Sequence, residues 1–175
     1  MNGSFSRMLS ILAAVAICFA SFSIANAQDD QMQQIKLTDA HVKGYIGASK
    51  QLAKITKKIE EGGDKPNPKL LSQLDAIAKK HGFKSYNELD IVIANISFVL
   101  SGFDDKGKFT DPSIVLKDEL AQVKGDRSIK SKEKKKMIAE ITEAMKATKP
   151  LKHKSNVALV KKHLEKLDAV LQPKQ

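Results

Sequence analysis

The sequence predicts an all-α fold: a single compact helical bundle of about five to seven helices arranged around a central apolar helix at about 85–100. Three observations carry this. The stretch from Leu70 to Phe103 reads as two helices joined by a short turn at His81 to Ser85, and the second is apolar nearly all round, so neighbours must cover it. Apolar residues elsewhere recur at the 3.6-residue period. Between those runs stand capping residues, glycines and prolines that start and stop helices.

Residues 1–27 have the three parts of a secretory signal peptide, to be set aside before any argument about fold. Arg7 charges a short n-region, Met8 to Phe22 is apolar, and Ala25-Asn26-Ala27 puts small residues at −3 and −1. Cleavage between Ala27 and Gln28 is therefore expected. The apolar run is shorter than the roughly 20 residues of a spanning helix, which argues against an uncleaved anchor. Bulky Ile17 before Cys18 argues against a lipoprotein. Cys18 is the one cysteine, so the mature chain has none and a disulfide framework is excluded. The remaining 148 residues fit one domain whose stability comes from packing. The expected organisation is a flexible N-terminal arm at 28–37 and a single helical domain at 38–172. No later apolar run suits a bilayer, so the product is expected to be exported, not membrane-spanning, and periplasmic, with full secretion as the alternative.

Thr38 caps a first helix of about 23 residues, with Asp39 favourably placed in its first turn. Val42, Tyr45, Ile46, Ser49, Leu52, Ala53 and Ile59 fall on its inner face. On the opposite face Lys43, Lys50, Lys54 and Lys57 line up, with Lys58 beside them; such a ridge either keeps an outer face wet or meets an anionic surface. The loop Gly62-Gly63-Asp64-Lys65-Pro66-Asn67-Pro68 cannot continue the helix. A second helix then runs from about Pro68 to Lys80, with Leu70, Leu71, Leu74, Ile77 and Ala78 inward. Gly82 ends it in a Schellman pattern with Phe83 folding back, and Ser85-Tyr86-Asn87-Glu88 is a capping box for the third helix.

That third helix, about 85–100, has enough β-branched residues to make a buried strand instead. The capping box, the stops at Gly82 and Gly102, and its length favour a helix. Asn95 in its apolar middle bonds a backbone carbonyl or a neighbouring helix; the alternative is a small-ligand pocket between helices near it. The loop FDDKGKFT follows. Asp104, Asp105 and Asp111 fail as a calcium loop because Lys106 occupies a ligand position. Asp111 and Pro112 open a fourth helix carried by Val115, Leu116, Leu120 and Val123 and closed near Gly125. A fifth starts at Ser128 or Ser131 and carries Met137, Ile138, Ile141, Ala144 and Met145 until Pro150. Ser155 or Asn156 caps a final helix with Val157, Val160, Leu164, Leu167 and Leu171 inward.

The start of the fifth helix breaks a local rule. Lys130, Lys132, Lys134, Lys135 and Lys136 crowd its first turns, where the dipole disfavours cations, and Glu133 alone opposes them. The chain carries a formal +10, and residues 104–175 hold 18 Lys and Arg against 11 Asp and Glu. The candidate basic interaction surface is therefore Lys132, Lys135 and Lys136 with the ridge Lys43, Lys50, Lys54 and Lys57.

No catalytic residue, cofactor site or metal site is expected. His41, His81, His153 and His163 show no ligand spacing, and there is no Gly-rich phosphate loop, G-x-S-x-G or mature Cys nucleophile. An enzyme would need an unrecognised constellation. Nucleic acid is an unsuitable partner, because Tyr45, Tyr86, Phe83, Phe98, Phe103 and Phe109 fall mostly on core faces or helix ends and make no stacking platform.

The run IAKKHGFKSYNEL, then ANISFVLSGFD and FTDPSIVLKDELAQVKGD, resembles an uncharacterised group of small exported helical proteins from alphaproteobacteria. These motifs are helix boundaries and core positions, so the resemblance implies a helical fold in the periplasm and carries no activity. The function expected is that of a non-enzymatic binding protein whose basic helical faces meet an anionic envelope component or an acidic protein.

Overall fold

The computed structural model describes residues 32–61 and 68–171, without the side chains of residues 60 and 61. The leader with its cleavage site at Ala27 and Gln28, most of the Gly/Pro loop and the last four residues lie outside the described residues. Seven helices stand among those described: α1 Asp39–Glu61, α2 Pro68–Lys80, α3 Tyr86–Leu100, α4 Pro112–Gly125, α5 Ser131–Ala147, α6 Ser155–Lys162 and α7 Leu164–Leu171. The described residues hold no strand longer than an isolated antiparallel bridge between Phe103 and Phe109. The chain is all-α, a helical bundle protein in which helices pack on helices. Among the described residues the contacts gather into two compact units, one of residues 32–99 with 151–171 and one of residues 100–150.

In the first unit, α1 packs on α2 and on α7. Thr38 caps α1 as expected: its Oγ1 accepts from His41 N at 3.2 Å, and His41 Nδ1 accepts from Thr38 N at 3.3 Å. Val42, Tyr45, Ala48, Leu52 and Ile55 form the buried face of α1, whereas Ala53, expected inward, is exposed. The buried stripe is turned slightly from the predicted one because Gly44 and Gly47 put bare backbone against the end of α2. A Cβ on Gly44 would stand 2.8 Å from the His81 carbonyl oxygen and from the Phe83 ring, so only glycine admits this approach.

The turn from α2 to α3 follows its sequence signals. Gly82 has φ of 91°, Phe83 N donates to Ala78 O at 3.1 Å, and the Phe83 side chain is buried. Ser85 Oγ accepts from Glu88 N at 3.3 Å, and the Glu88 carboxylate accepts from Lys84 N. Asp75 of α2 adds a third cap, accepting from Tyr86 N at 3.0 Å. Capped this way, the β-branched run of α3 is a helix. Its Leu89, Val92, Ile96 and Val99 side chains are 0% exposed. Full burial of each contributes about 1.5–3 kcal/mol, so these four alone rival the net stability of an ordinary domain.

The final helix predicted from the sequence is two. His163 takes φ −109° and ψ 9°, its N–H bonds Val160 O and Lys161 O, and the helix breaks there into α6 and α7. The break carries His163 inward to an acidic partner. Val160 and Leu167 remain fully buried, but Leu171 is 44% exposed and not part of the core. Neither Ser155 nor Asn156 caps α6: its N-cap is Lys154, without a side-chain bond, because the Asn156 amide is used elsewhere.

In the second unit α4 and α5 pack closely on each other. Asp111 accepts from Ser113 N at 2.9 Å with Pro112 opening the helix, as read from sequence. Leu116, Val123 and Ile141 are the buried cluster, with Leu120, Ile129, Met137, Ile138, Ala144 and Met145 packed against it. Val115, expected inward, is 37% exposed beside Ile114 at 48%. The inward stripe of α4 follows Leu116, Leu120 and Val123 at i, i+4 and i+7, and Val115 lies a hundred degrees off it. In the preceding loop Asp104 Oδ1 accepts from Lys106 N and Lys108 N, and Gly107 has φ of 69°, so this carboxylate closes a turn.

Candidate basic interaction surface

Helix α5 begins at Ser131 with Lys130 as its N-cap, and no side chain caps it. Ser128, one of the two expected caps, is held by the Asp126 carboxylate, which accepts from Ser128 N at 2.7 Å and from its hydroxyl at 2.6 Å. Those bonds hold the Asp126 carboxyl below the usual carboxylate range, with Lys134 adding to the effect. Lys134 itself leaves the cluster. Its Nζ donates to Lys124 O at 3.3 Å and to Asp126 O, so one of the five lysines satisfies carbonyls at the C-terminal end of α4.

The other four keep their charges toward solvent. Lys130, Lys132, Lys135 and Lys136 are exposed, and Glu133 is the one acid in the first turn of α5. Lys136 approaches Glu140 at 3.6 Å, with both side chains more than 60% exposed, a pair that contributes little. An open depression of about 560 Å³ is lined by Lys130, Lys132, Glu133 and Lys136. The three lysines that line the depression raise the local positive potential, with unbonded helix N–H groups adding to it. Chemically this surface can attract and hold anionic groups.

The second set of candidates stands on α1, in the other unit. Lys43, Lys50, Lys54 and Lys57 are all exposed, as an outer face requires. They do not form a uniform free ridge. Lys43 is tied to Asp39 at 2.6 Å, one helical turn away, which leaves Lys50 and Lys54 as the better-presented charges.

Asp39 is a functional-looking group that sequence reasoning treated only as a dipole partner. Its Oδ1 accepts from Lys162 Nζ at 2.9 Å and from His163 Nε2 at 2.8 Å, while Lys43 holds Oδ2. Hydrogen bonds from Lys43, then His163, then Lys162 hold its carboxyl far below the usual carboxylate range. His163 is 7% exposed, so this junction fixes the start of α1 to the break between α6 and α7.

Asn95, the polar residue in α3, is 3% exposed and fully engaged. Its Nδ2 donates to Ile91 O and to Gln33 O, each at 2.8 Å, and its Oδ1 accepts from Ile35 N at 3.0 Å. Asn156, 1% exposed, repeats the pattern two residues along. Its Nδ2 donates to Ile35 O and its Oδ1 accepts from Leu37 N, both at 2.9 Å. Lys152 N donates to Gln34 Oε1 at 2.8 Å, and His153 Nε2 lies 3.3 Å from Gln34 O. The stretch expected to be a flexible arm is, from Gln33 to Leu37, an extended segment held by two buried amides. Its polar composition suggested a loose arm, but the groups that hold it are 60 and 119 residues away.

Among the described residues no three His, Cys, Asp or Glu side chains gather as metal ligands do, and no helix is long and apolar enough to cross a membrane. Glu119 on α4 has a buried Oε2 without a hydrogen-bond partner, and burial pushes its carboxyl up from the ordinary range. Compared with protein-family models, with curated proteins and with solved structures, the chain matches none.

Proposed function

We propose that this chain is an exported, periplasmic, non-enzymatic binding protein that uses basic helical faces to hold an anionic component of the cell envelope. An acidic protein surface is the alternative partner with the same chemistry. The observation that supports it is the start of α5: four exposed lysines, one acid in the first turn and no side-chain cap. Lys130 at the N-cap and Lys132 in the first turn each cost the helix a few tenths of a kcal/mol at its positive end, so their placement runs against stability and asks for a binding explanation. Lys50 and Lys54 on α1 add a second, weaker basic surface. A small-ligand pocket beside Asn95 draws no support, because both amide hydrogens and the oxygen are engaged within the chain.

The test is retention on vesicles containing anionic lipid at rising salt. Each lysine near such a surface contributes about 1 kcal/mol, so changing Lys132, Lys135 and Lys136 together to Gln lowers affinity by about a hundredfold at low salt. The unaltered chain loses binding steeply as the screening length shortens from about 10 Å at 0.1 M salt to about 3 Å at 1 M. Binding that ignores both salt and the triple substitution sinks the reading.

A further inference from the structure

The extended segment 33–37 is bound in a way that points beyond its own anchoring. We infer that Asn95 and Asn156 form a site that reads the backbone of an extended polypeptide, with residues 33–37 as its built-in occupant. This strap leaves the site and is replaced by an extended segment of another polypeptide with apolar residues at alternate positions.

Four bonds carry the argument. Asn95 takes the C=O of Gln33 and the N–H of Ile35, and Asn156 takes the C=O of Ile35 and the N–H of Leu37. A side-chain amide that accepts from one residue and donates to the residue two before it does what a neighbouring strand does. Its repeat at two-residue spacing matches the period of an extended chain. None of these four bonds involves a side chain of the segment, so the two amides read backbone as such, and Gln34 adds a side-chain bond of its own by accepting from Lys152 N. Selectivity falls to the inward side chains. Leu37 is 4% exposed and Ile35 partly buried, while Lys36 between them faces solvent, which sets the alternation over residues 35–37 that a replacing segment must match.

Asn95 is held in part by its own helix, donating to Ile91 O, and Asn156 stands on α6 with the bonds of its amide going to the strap. The strap, by contrast, belongs to no helix or strand and precedes α1. Segments of that kind open at a lower free energy than the core beneath them. Since the occupant is covalently tethered, it competes at high effective concentration, and an outside segment meets a vacant site only while the strap is out.

The experiment uses the full chain carrying Ile35→Pro, which removes the N–H that Asn95 accepts and leaves the preceding residue extended. The probe is a fluorescent peptide with the sequence of residues 32–38, followed by anisotropy. The variant is expected to bind it at least about tenfold more tightly than the unaltered chain, whose site is only fractionally vacant. Adding Asn156→Ala to that variant is expected to abolish the binding. In the unaltered protein, the amides of Ile35 and Leu37 are expected to exchange together with solvent, faster than those of Val92 and Ile96. A helical, cooperatively melting Ile35→Pro chain that fails to bind, or binding that survives Asn156→Ala, overturns the inference. If Ile35→Pro does not fold, hydrogen exchange decides: exchange of Ile35 and Leu37 only on global unfolding means the strap never leaves, and the inference fails.

Discussion

Replacing Asn156 by Ala removes two bonds at once, and its cost follows from what is left behind. Leu37 N–H loses its acceptor and Ile35 C=O its donor. An orphaned buried backbone group costs about 1–3 kcal/mol. The Leu37 bond is buried and the Ile35 bond partly so, which allows water to recover some of the second. The expected loss is therefore about 2–4 kcal/mol. With a urea m-value of about 2 kcal/mol per molar, the midpoint falls by about 1–2 M with m unchanged. Asn95→Ala removes the same kind of support from the same five residues and is expected to cost a similar amount. Because both hold one segment, the double variant loses less than the sum: once the segment has come away, the second amide has nothing left to hold. A coupling of about 0.5–3 kcal/mol is expected from contacts that share a partner. Urea unfolding followed by far-UV circular dichroism on the four chains reads all of this. A midpoint shift within the ordinary range of surface substitutions, about 0.5 kcal/mol, or strict additivity, refutes the picture of two amides clamping one strand.

Three further outcomes are expected. The Lys132, Lys135 and Lys136 to Gln variant proposed for vesicle binding should be about as stable as the unaltered chain, because removing the cation Lys132 from the first turn of α5 offsets the weak exposed pair that Lys136 makes with Glu140; a melting temperature lowered by several degrees counts against that. Gly44→Ala should destabilise by about 1–3 kcal/mol, since a Cβ 2.8 Å from a backbone oxygen forces α1 and α2 apart and outweighs the gain in helix propensity; thermal melting decides. Glu119→Gln should raise stability at neutral pH, because burial has raised the carboxyl from its ordinary 4.5 and Oε2 has no partner. A raised pKa means that stability is full below the ordinary value and is lost as pH climbs through the raised one, so the benefit of Gln should vanish below about pH 4; a gain that persists in acid contradicts it.

What could be read from the sequence was local. Ser85 and Glu88, Gly82 and Phe83, and Asp111 and Pro112 lie within a few residues of the groups they bond, so they mark helix ends without any knowledge of the fold. The lysines of α5 were legible as an oddity, yet the role of Lys134 was not, because it depends on the C-terminal carbonyls of α4 coming within reach. Asn156 was misread for an instructive reason: its residue type and place suit a helix cap, and only the arrival of Leu37 diverts its amide. The break at His163 was invisible for the same cause, since its partner Asp39 is 124 residues away.

The reach from Leu37 to Asn156 also sets an order of events. The first described residues of the chain wait for one of its last helices, 119 residues later, before their backbone is secured. At roughly 5–20 residues per second of synthesis, that interval is about 6–24 s, during which the unit's first segment has no partner for half of its ladder. Contacts of such separation also slow folding after synthesis, since a long loop must close before the bond forms. The helices of the Leu100–Pro150 unit, adjacent in sequence and with α4 capped locally by Asp111, face no such delay. The central stretch is therefore expected to fold first, with the two ends of the chain closing last.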